Sequence, residues 1–195
     1  MTALYAPVFE QIHALLFEKA SVIVAIDGRS GSGKSSLAAL LAQTFSCNVF
    51  HMDDFYLPKS ERSSNWQEVP AGNMDLSRFL EEVLLPARLE KDVVYRPYNC
   101  QGKDSTFQTS LLPHTALTVI EGSYSHHPLL SPLYDWKIFL TCSEQEQHRR
   151  LSIREGSHFP TFLSQWIPME ERYFKAFSIV EKSSFVLNTG SASLP

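Results

Sequence analysis

Residues 28–35 read Gly28-Arg29-Ser30-Gly31-Ser32-Gly33-Lys34-Ser35, a complete G-x-x-x-x-G-K-[ST] segment. It stands between an apolar run, Ser21-Val22-Ile23-Val24-Ala25-Ile26-Asp27, and a stretch whose Leu37, Leu40 and Leu41 recur at i, i+3, i+4. A short, β-branched, continuously apolar run is the signature of a parallel strand buried on both faces, and the leucine spacing is one apolar face of a helix. Small residues at this spacing let successive backbone N–H groups curl around a phosphate, while the following helix presents its positive dipole end to the anion. The segment therefore predicts a nucleoside triphosphate site formed by Gly28, Arg29, Ser30, Gly31, Ser32, Gly33, Lys34, Ser35 and Ser36. In it Lys34 reaches the β- and γ-phosphates and the Ser35 hydroxyl ligates Mg²⁺.

With 195 residues the chain is long enough for one well-buried core, so a single domain over 1–195 is expected. Seventeen basic residues against twenty-one acidic ones, with no basic run or tail, argue against broad binding to nucleic acid. Cys47, Cys100 and Cys142 are scattered without C-x-x-C spacing, which suggests neither a zinc site nor a disulfide framework. Met1 to Lys19 lacks a basic leader segment, and no run of 18 apolar residues occurs, so a cytoplasmic protein without a membrane partner is expected. A homo-oligomer is left open.

Val8, Ile12, Leu15, Leu16 and Phe17 mark one face of an N-terminal helix, which lies against the sheet before strand 21–27. Further strands are predicted at about 48–52, 92–95, 116–120, 137–141 and 184–187. A helix near 75–90 is interrupted by Pro86, and a short helix is expected around 126–131. The segment 98–113 reads as a hairpin or a loop. Ser143 and Glu146 form a capping box for a polar helix to Arg154, and Pro168 starts a later helix with Glu170 and Glu171 in its first turn, where the dipole favours anions. Strands alternating with helices imply parallel crossovers, hence a three-layer α/β/α sandwich of the P-loop NTPase type with a mainly parallel sheet.

Two carboxylate positions could aim a nucleophile at the γ-phosphate. The pair Asp53-Asp54 follows strand 48–52, on the ligand side of such a sheet, and because adjacent extended residues point opposite ways only one of the two faces the phosphates. Glu121 closes the strand Leu117 to Ile120, where P-loop proteins place the acid that orients Mg²⁺ or its water. Arg150 and Arg154, at i and i+4, share a helix face on which two guanidiniums can grip a triphosphate, whereas Arg149 faces elsewhere.

The order and spacing of these segments resemble the uridine kinase and phosphoribulokinase-like group of P-loop kinases over most of the chain. Besides the P-loop, Asp53-Asp54-Phe55-Tyr56 is similar to the family's Asp-Ser-Phe-Tyr, and Val94-Tyr95-Arg96-Pro97-Tyr98-Asn99 to its Pro-x-Tyr-Asp segment. Ile120-Glu121-Gly122 is similar to its Glu-Gly strand end, and Arg149 to Glu155 to a lid motif ending in Arg-Asp. The resemblance implies that Asp53 is the general base for the acceptor hydroxyl, that Asp54 sits where the family has Ser, and that Glu121 supports Mg²⁺. It also implies a small helical lid, about 143–167, from which Arg150 and Arg154 close over the phosphates of ATP. The expected activity is transfer of the γ-phosphate of ATP to a hydroxyl of a small molecule, foremost a uridine- or cytidine-like nucleoside.

The acceptor segments depart from the family pattern: Asn99 stands where Asp follows Tyr98, and no Thr-His-Ser-Arg-like sequence appears in Cys100 to Thr106. A sugar, a vitamin alcohol or a phosphosugar therefore remains an alternative acceptor, with Asp53, Tyr56, Arg96 and Tyr98 as the candidate acceptor site. A nucleotide-binding switch or ATPase acting on a protein partner is the reading from a different class, although no guanine-specifying N-K-x-D segment is present. The dispersed histidines, including His126-His127, lack the i, i+4 spacing of a helical metal site, and Trp136 and Trp166 read as packing anchors.

Overall fold

A computed structural model describes residues 3–98 and 109–190. Its centre is a five-stranded sheet in the order β2-β5-β1-β6-β7. The strands are β1 (Val22–Gly28), β2 (Asn48–His51), β5 (Leu117–Glu121), β6 (Trp136–Thr141) and β7 (Phe185–Asn188), all paired in parallel. β1 occupies the middle, and every one of its residues is buried, as its unbroken apolar run requires. A separate antiparallel pair joins β3 (Val93–Tyr95) to β4 (Ser110–Leu112); residues 99–108, on which most of the predicted hairpin or loop falls, with Asn99 and Cys100, lie outside the described residues.

Alternation along β1 divides the core in two. Val22, Val24 and Ile26 pack with α1 (Ala6–Glu18) and α2 (Lys34–Phe45), through Val8, Ile12, Leu37 and Leu41. Ile23 and Ala25 face the opposite layer, where Phe55, Phe79, Val83 and Phe174 gather. Helices on both faces of a parallel sheet give the expected three-layer α/β/α sandwich. Phe17 does not join the α1 face: it is 92% exposed, while Phe9 is buried in its place. No helix among the described residues is long and apolar enough to cross a membrane.

Two prolines shape the second helical layer in the same way. Helix α3 runs through Leu76–Phe79, a π-turn Leu80–Leu84 and Leu85–Arg88, and the Leu85 N–H bonds the Leu80 carbonyl five residues back, immediately before Pro86. After α4 (Glu144–Glu155), helix α5 runs through Phe159–Thr161, a π-turn Phe162–Trp166 and Ile167–Phe177, with the Ile167 N–H bonded to the Phe162 carbonyl immediately before Pro168. Proline lacks an N–H and its ring crowds the carbonyl four residues earlier, so a widened turn absorbs both defects without ending the helix. Pro168 therefore lies inside a helix that begins at Phe159, and Glu170 and Glu171 are not in a first turn exposed to the helix dipole.

Two other local expectations change. The predicted short helix near 126–131 is a series of turns ending in a 3₁₀ segment, Ser131–Leu133. The Ser143 hydroxyl caps α4 by accepting from the Glu146 N–H, but the Glu146 carboxylate turns to Arg149 and Arg150 instead of completing the capping box.

At the end of β1 the chain passes so close to β6 that no side chain fits. Gly28 has φ +140°, and a Cβ on it would lie 2.0 Å from the Leu140 carbonyl oxygen and 2.7 Å from its nitrogen. Backbone atoms cannot yield as a flexible side chain does, so Gly28→Ala combines strain with overlap. We expect this substitution to lower the unfolding free energy by about 3 kcal/mol, seen as a lower urea midpoint at unchanged slope. A midpoint equal to that of the unsubstituted chain would contradict the described packing.

Candidate active site

The P-loop leaves β1 at Gly28 and enters α2 at Gly33, whose φ of +96° is a left-handed conformation suited to glycine. The Arg29 N–H donates to the Leu140 carbonyl, the Ser32 N–H closes a turn on the Arg29 carbonyl, and the Lys34 ammonium donates to the carbonyls of Gly28 at 2.7 Å and Arg29 at 3.2 Å. The two helices after β6 hold the Ser30 peptide from both ends. Gln147 of α4 donates to its carbonyl at 3.0 Å, and Glu170 of α5 accepts its N–H at 3.0 Å and its hydroxyl at 2.6 Å.

A cavity of about 610 Å³ opens over this loop. Ser30, Gly31, Gly33, Lys34, Ser35 and Ser36 line it, together with Asp53, Glu121, Arg150 and Arg154. Most of the residues predicted for a phosphate site and its catalytic groups are thus gathered in one place. Arg149 lines the cavity as well, contrary to the expectation that it faces elsewhere. Gly28 and Arg29 lie behind the loop, where Arg29 is ion-paired with Glu171, and Ser32 is fully buried.

Parallel register brings the strand-end acids into the cavity. Glu121 is the last residue of β5, level with His51 of β2 and Ile26 of β1. The Ser35 hydroxyl lies 3.3 Å from both of its carboxylate oxygens, and the His51 Nδ1 lies 2.5 Å from one. The bond to Glu121 and its charge, with Asp54 and Asp53 nearby, outweigh burial and hold the His51 pKa above its ordinary value.

Asp53 and Asp54 sit on a 3₁₀ turn, Met52–Phe55, not on an extended strand, and they still diverge. Asp54 turns to the β3 side, where its carboxylate takes the Tyr95 hydroxyl and its carbonyl accepts the Tyr98 N–H at 2.8 Å. Asp53 is solvent-accessible at the cavity and accepts the Tyr56 hydroxyl at 2.7 Å. The protein atoms gathered around its carboxylate thin its hydration and push its pKa up, and the Glu121 and Glu170 charges add to the rise, while the Tyr56 bond and Lys34 oppose it. Of the three other acceptor-site candidates, Tyr56 adjoins the cavity through its bond to Asp53. Arg96 is ion-paired with Glu82 of α3, and Arg78 donates to its carbonyl; Tyr98 follows on the same strand exit.

Arg150 is only 11% exposed, and its guanidinium donates to Glu146, to the Gly31 carbonyl at 3.1 Å, and to the Thr189 hydroxyl and carbonyl at 3.0 and 2.8 Å. It braces the P-loop against the end of β7. Arg154 is 56% exposed, paired with its neighbour Glu155, and lies over the Phe162 ring. His126 is buried, with its pKa pushed down to about 3 by burial, and bonds the Ala25 carbonyl and Ser183, so it is a packing residue. Trp136 stacks on Phe185 in the core, and Trp166 of α5 approaches Trp66 at 6.1 Å.

The sequence assigns Glu170 only a helix-dipole role and gives Ser123 and His51 no part in the site. Ser123, directly after the Glu121-Gly122 strand end, could have been found from its position; Glu170, 140 residues from Ser30, gave no local signal.

No family model matches the chain, and no curated protein matches its sequence. Among solved structures it is similar to a possible uridine kinase from Bacillus stearothermophilus, with a TM-score of 0.68 and 19% identity over 93% of this chain and 99% of that one. It is also similar to YFH7 from Saccharomyces cerevisiae, a proposed P-loop containing kinase with a circular permutation, with a TM-score of 0.67 and 14% identity over 96% of this chain and 99% of that one. The chain shares its fold with these two proteins.

The bonds that Arg150 donates to Glu146, Gly31 and Thr189 carry a stability expectation. Lysine keeps the charge but cannot fork between Glu146, Gly31 and Thr189. Arg150→Lys should therefore lower stability by about 2 kcal/mol, measured by urea unfolding, because buried acceptors lose their donors. A loss below about 0.5 kcal/mol, the range of ordinary surface changes, would show that the brace is dispensable.

Proposed function

We propose that the chain is a single-domain, ATP-dependent kinase that moves the γ-phosphate of ATP to a hydroxyl of a small molecule, foremost a uridine- or cytidine-like nucleoside. The observation that carries this reading is the position of Asp53: a carboxylate with a raised pKa faces the same cavity as Lys34 and the Ser35–Glu121 pair. A P-loop that only bound nucleotide would have no need of a base on that side, and transfer to an alcohol is told from transfer to water by whether ADP release depends on the acceptor. The resemblance to uridine kinase-like sequences and the likeness in fold to a possible uridine kinase support the same choice.

In this reading the triphosphate lies along the P-loop with Lys34 against its β- and γ-phosphates. Ser35 and Glu121 fit Mg²⁺, a hard cation that takes one or two protein oxygens and completes its shell from phosphates and water. The ion, when bound, neutralises charge between the phosphates. Asp53 accepts the acceptor's hydroxyl proton as the new O–P bond forms in line and the bond to the β-phosphate oxygen breaks, releasing ADP. The segment from 143 to 167 acts as the lid, with Arg154 closing on the moving charge and excluding water.

The test is ADP release from purified protein with ATP and Mg²⁺, with uridine or cytidine against a blank without acceptor. Stimulation is expected, and Asp53→Asn should reduce it by about 10²–10⁴-fold. A general base works ionised, so activity should fall as pH drops through the raised Asp53 pKa. Tyr56→Phe removes a donor that favours the carboxylate, and the acid limb of kcat/KM should then move to higher pH. An unshifted limb would remove Asp53 as the titrating base. Equal ADP release with and without acceptor, across nucleosides, sugars and vitamin alcohols, would overturn the kinase reading.

A further inference from the structure

The kinase reading uses one wall of the cavity and leaves a buried acid unexplained. Glu170 is 4% exposed and projects from α5 into the junction between the P-loop and the turn after β5. Three donors converge on its carboxylate: the Ser30 N–H, the Ser30 hydroxyl and the Ser123 hydroxyl. Both serines line the same cavity as Asp53. The Glu170 charge reaches across this corner, since it acts on Asp53, Tyr56 and Tyr124 alike. Tyr124 itself is held at φ +76°, an uncommon conformation for a bulky residue, with its ring edge-on to Tyr173.

The chemistry of that wall follows from counting hydrogens. A serine hydroxyl has one hydrogen, and here both are spent on Glu170, so the two oxygens can only accept from the cavity side. Asp53, already taking the Tyr56 hydroxyl, is also an acceptor when ionised. The nearby cations have partners of their own: Arg172 donates to the Gln67 carbonyl at 2.6 Å, Arg96 is paired with Glu82, and Lys34, whose charge reaches Asp53, donates to the Gly28 and Arg29 carbonyls. The cavity's own arginines come from α4, which packs beside Gly31 and reaches the Ser30 carbonyl through Gln147, whereas the Ser30 N–H and hydroxyl go to Glu170 of α5. A molecule docking against Ser30, Ser123 and Asp53 must therefore bring O–H or N–H donors, and a phosphate or carboxylate there would meet oxygen lone pairs and negative charge.

We propose that Glu170 is a specificity-determining positioning residue: by holding Ser30 and Ser123 as hydrogen-bond acceptors, it selects an uncharged, polyhydroxylated acceptor and rejects one that already carries phosphate or carboxylate. The proposal rests on the kinase reading and narrows it, since the sequence leaves phosphosugars open.

The experiment compares two acceptor sets by ADP release: uridine, cytidine, ribose and pantothenol against ribose 5-phosphate, ribulose 5-phosphate and pantothenate. Stimulation by members of the uncharged set is expected. Glu170→Gln then offers one carbonyl and two N–H donors, which forces a serine hydroxyl to turn its hydrogen toward the cavity. The KM of the uncharged acceptor should rise roughly tenfold, more than the KM for ATP, and discrimination against its charged counterpart should narrow. Ser123→Ala, at a half-buried position, should reproduce part of the KM rise while the thermal midpoint stays near that of the unsubstituted chain. Preference for the charged set overturns the inference and leaves the kinase reading standing, and so does a Glu170→Gln protein that loses kcat alone with discrimination unchanged. Silence from both sets removes the kinase reading and this inference with it.

Discussion

Asp27 is a fully buried carboxylate beneath the P-loop, and three separate parts of the chain end on it. It accepts the Gly28 N–H at 2.7 Å, the His126 N–H at 2.9 Å and the Tyr173 hydroxyl at 2.8 Å. Burial raises its pKa, and these three donors, with Lys34, work in the opposite direction. An isolated charge there would cost several kcal/mol, so the site tolerates the acid only because the start of the P-loop, the turns after β5 and helix α5 all meet it. The requirement runs the other way as well: strand alternation puts Asp27 on the face of Ile23 and Ala25, so α5 must pack on that face with Tyr173 inward.

From this anchor the loop is held along its length. Gly28 touches β6, Ser30 is fixed by α4 at its carbonyl and by α5 at its N–H and hydroxyl, and Gly31 is fixed by Arg150. A phosphate site made of backbone N–H groups works by being shaped before the anion arrives, and outside struts supply that shape without occupying the cavity. The same struts restrict which amides can serve: those of Arg29 and Ser30 are engaged by Leu140 and Glu170. The predicted stretch of nine phosphate-binding residues is therefore divided in the folded chain between a cradle and its support.

What could be read from the sequence was what is local. The apolar run into Gly28, the leucine spacing of α2 and the Ser143 cap each depend on residues within a few positions of one another, and each appears where expected. The gathering of Asp53, Glu121, Lys34 and Ser35 was legible because parallel strands deliver their carboxyl ends to one edge. The remainder depended on contacts that no spacing encodes. Glu170 was read as a dipole partner because Pro168 resembles a helix start, whereas a π-turn carries the helix through the proline and turns the acid toward Ser30. Arg96 was read as an acceptor ligand, and its engagement by Glu82 depends on how α3 lies against β3. Phe17 and Phe9 both fit an amphipathic α1, and only the packing against Phe45 selects Phe9.

The two arginines expected to form a lid show how one spacing can yield two sets of contacts. Arg150 and Arg154 share a helix face, yet the first reaches Gly31 and Thr189 while the second lies one turn further out, beside Glu155 and Phe162. Moving Arg150 onto a phosphate would strip buried acceptors of their donors, a cost that recurs at every turnover. The contacts of Arg154 are at the surface, where ion pairs contribute little and break readily. A residue that stabilises charge only as it moves must be able to travel, and a residue that shapes the cradle must not. On these energetic grounds Arg150 suits the apparatus that holds the P-loop still, and Arg154 is the one free to take the closing role in the proposed kinase reaction.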